Sequence, residues 1–262
     1  MSDQTTRLGP GYRRRILIEP QNGCSVAELE DDYHRMVVSL YHTDGVVTDV
    51  TSEMKRSPWT GCPGAMQRLR ETFLGCRLTD CAGAGEKNRN CTHLHDLAVF
   101  AAVHAGDRAA TAYEVHCGDV PEGSSESQRM VRLWRDGALV LEWSLTGLMV
   151  TGPAEVSGLE LTELGAHIAA QDGKGAEAVR ILRWAAMVAQ GRAMVIPPHL
   201  AATAFPAGRC YNFDPSIAKS SFRREGADID WSVLGADPLA DRSEAFTAAP
   251  ESQASACPDR LL

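Results

Sequence analysis

Hydrophobic and polar positions alternate through several runs of this chain and fall at helical spacing in three others. Residues 14–19 read as a short strand, and residues 26–40 as a longer one with a period close to two. In its second half His34, Met36, Val38 and Leu40 share one face, and Tyr33, Arg35, Val37 and Ser39 the other. The Asp-Gly of His42-Thr-Asp-Gly45 is a hairpin signal that returns the chain through residues 46–51. Ser57 to Gly64 breaks the strand, Pro63 suits a first helical turn, and residues 65–74 form a helix that Gly75 closes. A loop over 77–90 leads to a second helix over 92–105, capped by Asn90 or Thr92.

Beyond Gly106 the period returns to two, with strands over 110–116, 130–134 and 138–145. A solvated loop spans 118–127, and Asp136-Gly137 marks a second hairpin turn. Residues 176–190 form an apolar helix with Val179, Leu182, Ala186 and Ala189 on its core stripe. From Asp214 the chain turns polar, with Ile229, Trp231 and Leu234 as its anchors, and is expected to be partly disordered or draped on a partner. The order β-β-β-α-α-β-β-β-α predicts an α+β fold: an antiparallel sheet with helices packed on one face.

Composition narrows the function classes. With 262 residues and 44% hydrophobic content the chain can fill a real core, and a net charge of -8 argues against a grip on nucleic acid. No apolar leader and no membrane-length apolar run is present, so the expectation is a soluble, cytoplasmic protein that does not engage a membrane. In that setting the eight cysteines are expected to be reduced, most of them as small buried hydrophobes.

Two cysteines stand apart. Cys62 and Cys91 each precede a predicted helix, where unpaired N–H groups and the helix dipole favour the thiolate. His93 lies within one turn of Cys91, whereas His95 and His104 read as bystanders. If the two helix starts converge, Cys62, Cys91 and His93 supply three ligands, with a fourth position for His34, Asp31, Asp32 or water. That set suits zinc or iron. No CxxC, HExxH, GxGxxG, GxSxG or Walker loop is present.

Residues 28–34, Val47 to Val50, Pro58, Cys62, Leu69, Gly75 and the Cys91-Thr-His-Leu94 tetrad with Asp96 resemble the bacterial domain of unknown function DUF2889 over residues 12–105. Asn90 replaces that family's usual glycine before the cysteine. A more distant likeness is to the NifU-type iron–sulfur scaffolds, carried by Gly61-Cys62, Gly75 and Cys91 to Ala105, although the scaffold's first cysteine falls near Asp31. Together these imply a DUF2889-like core at 12–106 of NifU/SufE-like fold, a second hairpin and helix at 107–200 completing it, and a C-terminal extension with a tail at 210–262.

The DUF2889 resemblance implies a carbon–carbon lyase of aromatic catabolism that releases formaldehyde from lignin-derived phenolics. His34 or His93 would be the base, and Tyr33 or Arg35 would bind the phenolic oxygen. A small aromatic substrate calls for an apolar pocket lined by tryptophans such as Trp59, Trp134 and Trp143. The alternatives are an iron–sulfur or metal-transfer scaffold and a non-catalytic protein with a structural metal. An antiparallel sheet edge is compatible with a homodimer.

Overall fold

A computed structural model describes residues 8–120, 127–169 and 173–247. Its strands are β1 (Gly11–Gln21), β2 (Cys24–Asp31), β3 (Arg35–Thr43), β4 (Val46–Arg56), β5 (Thr111–Gly118), β6 (Gln128–Arg135), β7 (Ala138–Thr146) and β8 (Met149–Gly152). They form an antiparallel eight-stranded sheet in the order β4-β3-β2-β1-β5-β6-β7-β8. With helices α1 (Ala65–Phe73), α2 (Thr92–Val103), α3 (Leu164–Ala169) and α4 (Gly173–Val188), the fold is α+β, as the sequence pattern predicts. No helix among the described residues is long and apolar enough to cross a membrane.

Both Asp-Gly turns form where expected. Asp44 and Gly45 have φ of 52° and 75°, and Asp136 and Gly137 have 49° and 78°. Two successive positive φ values are what a two-residue hairpin turn matched to strand twist requires, and Asp followed by Gly tolerates them. The expected single strand over 26–40 is instead two strands, β2 and β3, joined at Asp32-Tyr33-His34. Asp31 causes the break, because its Oδ1 accepts the N–H groups of Tyr33 and His34, each at 2.8 Å, and turns the backbone back on itself.

The chain divides into two compact units. The first holds Ile16–Thr111 and Ile196–Ile229, and the second holds Ala112–Val195 and Asp230–Thr247 with the start of β1. In the first unit α2 packs on β2 and β3, and α1 on β4. Met36, Val38 and Leu40 are fully buried, as are Leu69, Phe73, Leu94 and Leu97 of the two helices. Every residue of α2 from Thr92 to Ala102 is buried, so the helix is enclosed on all sides and presents no solvent face. In the second unit α4 packs on β6 and β7, with Val179, Leu182, Ala186 and Ala189 buried as their spacing predicts.

The polar stretch after residue 210 is ordered through Thr247, in three short helices at Pro215–Ala218, Trp231–Leu234 and Glu244–Thr247. Local capping holds the first two despite their length: Asp214 accepts the N–H of Ser216, and Asp230 those of Ser232 and Val233. Residues 248–262, the rest of the expected tail, lie outside the described residues, as does most of the 118–127 loop.

Candidate metal centre

The residues that converge are Asp31, His34 and His93. One ligating atom from each lies within 4.8 Å of the others, and all three residues are buried. Asp31 ends β2, His34 closes the β2–β3 turn, and His93 stands in the first turn of α2. The sheet and the buried helix therefore set the site, and α2 packs directly on the two strands that carry the turn.

Asp31 holds His34 in one orientation. Its Oδ1 lies 3.0 Å from His34 Nδ1 as well as accepting the two turn N–H groups. A carboxylate can only accept, so Nδ1 is the donor of this pair. The His34 and His93 rings face each other at 3.9 Å between centroids, tilted by 30°. Tyr33 meets the His34 ring edge-on at 6.3 Å.

Arg56, the last residue of β4, grips the turn from behind. Its guanidinium donates to the carbonyls of Asp31 (2.5 Å), Asp32 (2.9 Å) and His34 (3.3 Å), and to Glu30 Oε1 at 3.3 Å. It also reaches Ala227 O at 3.0 Å, and Ile229 N donates to Asp32 O at 2.8 Å. A segment expected to be a loose tail therefore buttresses the turn. Arg223, also from that segment, lies over the rings of Tyr33 (6.0 Å) and Trp59 (5.6 Å) and pairs with Asp228.

The structure redistributes the residues that the sequence singles out. His34 and His93 do meet, with Asp31 as the third donor, whereas Cys62 and Cys91 stand outside the converging trio. His34 lies in a turn rather than on a strand. Arg35 is engaged by Glu28 at 3.1 Å and Glu30 at 3.9 Å, so its guanidinium is already satisfied by carboxylates. His95 and His104 stand outside the trio, with His95 Nε2 at 2.9 Å from Ala84 O and His104 Nδ1 at 2.8 Å from Asp107. Asp96 binds Lys87 Nζ through both oxygens at 2.6 Å.

The cysteines gain a partner that sequence spacing did not suggest. Tyr211 N donates to Asn90 O at 2.9 Å, which brings Cys210 beside Cys91. The Tyr211 hydroxyl also closes on Gly64, where a Cβ would stand 2.6 Å from it. Burial, reinforced by Cys91 and Cys210, pushes the Cys62 thiol far up, and burial pushes Cys91 up to about 12. The N–H groups of Leu94 and His93 oppose this rise without reversing it. The expected thiolates are therefore thiols here, because desolvation outweighs the helix dipole. Cys24 is disulfide-bonded, which departs from the expectation of reduced thiols throughout.

Trp59 packs with Cys62, Phe205 and Phe213 in a small apolar cluster of the first unit. Trp143 instead lines a cavity of the second unit, whose lining includes neither Trp59 nor Trp134. No protein-family profile matches the chain, and no curated protein matches it.

Proposed function

We propose that this protein is a small metal-dependent enzyme centred on Asp31, His34 and His93, and that it acts as a carbon–carbon lyase on phenolic compounds. The convergence of the three ligating atoms within 4.8 Å in a buried site carries the metal reading. Two imidazoles and one carboxylate suit zinc or iron(II), and three protein donors leave coordination positions for a substrate. When bound, such an ion polarises a substrate oxygen. An ion held by all three would take the place of the proton between Asp31 Oδ1 and His34 Nδ1, and Arg56 would contribute by holding in place the turn that carries both donors.

The reaction class follows from the DUF2889 resemblance, and a NifU/SufE-like core and cytoplasmic location belong to the same reading. In formaldehyde release the O–H proton of a hydroxymethyl group passes to a base and the carbon–carbon bond to that group breaks. The quinone methide that takes up the electron pair would form first, when the phenolate expels hydroxide from the benzylic carbon, and the pair then restores the phenolate as formaldehyde departs. The Asp31–His34 hydrogen bond favours a second, metal-free form of this reading, in which His34 Nε2 is the base. The neighbouring thiols Cys62, Cys91 and Cys210 support instead an iron–sulfur or metal-transfer scaffold.

Elemental analysis of the purified protein, joined to a formaldehyde-release assay on a lignin-type phenolic, separates the three. One zinc or iron per chain, lost in Asp31→Asn and His93→Ala but kept in Cys62→Ser, with activity removed by chelation and restored by the ion, is the expected result. Chelator-resistant activity lost in Asp31→Asn assigns His34 as the base. A brown colour on anaerobic reconstitution, lost in Cys62→Ser, replaces both with the scaffold.

A further inference from the structure

The second unit contains a cavity of about 530 Å³, within the range of about 300–1,000 Å³ typical of small-molecule sites. Leu141, Trp143, Val156 and Val179 make most of its wall apolar, with Arg135 and Glu155 as its charged members. The two charges differ in setting. Glu155 is exposed, so solvent screens it, whereas the Arg135 side chain is only 16% exposed.

Arg135 is also undersupplied with acceptors. Among the described residues its side chain donates no hydrogen bond; its nearest carboxylate, the exposed Asp136, stands 3.5 Å from Nε. Its guanidinium otherwise lies over the Tyr113 ring at 5.5 Å, and the Tyr113 hydroxyl is already committed to Glu177 at 2.5 Å. A largely buried guanidinium is normally matched by a planar acceptor, and a carboxylate fits its fork with two parallel bonds.

From this geometry we infer that the cavity binds a small aromatic carboxylate, its ring against Trp143 and the aliphatic wall and its carboxylate on Arg135. The inference is independent of the proposed metal centre, since the unit that holds the cavity contains none of Asp31, His34 and His93. No covalent step is involved.

Calorimetric titration of the full chain with benzoate and, separately, with benzyl alcohol tests it without any variant. Saturable one-site benzoate binding is expected, with benzyl alcohol about tenfold weaker because it lacks the charge that pairs with Arg135. Arg135→Gln should bring the two affinities together, and Val179→Trp, which fills the cavity, should abolish both. Absence of saturable benzoate binding, equal affinities in the native protein, or benzoate binding that survives Val179→Trp in a folded variant would each overturn the assignment. Should either variant fail to fold, the native comparison decides alone.

Discussion

Replacing Arg56 by methionine tests how the β2–β3 turn is held. Methionine keeps most of the packing volume of the arginine stem while removing the guanidinium and its bonds to four carbonyls and one carboxylate. The carbonyls of Asp32 and His34 each retain a backbone donor, from Ile229 and Asp31, and Glu30 retains Arg35 at 3.9 Å. The carbonyls of buried Asp31 and Ala227 lose the Arg56 donor. At about 1–3 kcal/mol for each such group the loss is about 2–6 kcal/mol, and partial solvent access at a side chain 15% exposed places it near 3–4 kcal/mol. With a urea m-value of about 2–3 kcal/mol/M, the unfolding midpoint should fall by about 1–2 M, followed by circular dichroism. The same variant should bind zinc about 10–100-fold more weakly, because the turn that aims His34 is loosened. A loss below about 1 kcal/mol would refute the claim that Arg56 organises the turn. Undiminished zinc affinity at reduced stability would show that the turn does not position His34.

Two further predictions concern titration and reactivity. Burial lowers the His116 pKa below its ordinary value, so the folded protein binds fewer protons there than the unfolded chain. Its contribution to stability is therefore present above pH ~6.5 and lost as pH falls below it, and His116→Asn should flatten the slope of the urea midpoint between about pH 5 and 7. Because burial pushes the Cys62 and Cys91 thiols up, iodoacetamide at about pH 8 should label neither in the folded protein and both in urea, as read by peptide mass spectrometry; rapid labelling of native Cys91 would contradict its burial.

Local architecture is legible in the residues wherever side-chain chemistry acts on its own backbone. Asp44-Gly45 and Asp136-Gly137 announce their hairpins because only a few residues accept two positive φ values in succession. The stripe of Val179, Leu182, Ala186 and Ala189 announces α4, and the apolar run after Thr92 announces α2. The Asx turn at Asp31 was legible in principle, since Asp-Asp stands inside an alternating run, but the alternation continues across it and conceals the break. Of the expected ligands Cys62, Cys91, His93 and His34, only the two histidines meet, and Asp31, a candidate for the fourth position, joins them in place of the cysteines.

Tertiary structure alone decided which of those candidates arrives. Asp31 joins the histidines because α2 lies across β2 and β3, and Cys210 joins Cys91 because residue 211 bonds to Asn90 across 121 positions of sequence. The same segment supplies the Ala227 carbonyl to Arg56 and the Arg223 guanidinium to Tyr33 and Trp59. Its low hydrophobicity reads as a loose tail, because a handful of long-range hydrogen bonds and a few buried side chains leave no periodic trace. Burial was the other quantity beyond the sequence's reach. A cysteine before a helix reads as a thiolate from the dipole alone, and the enclosing core reverses that sign, since removing a charge from water costs more than a helix terminus returns.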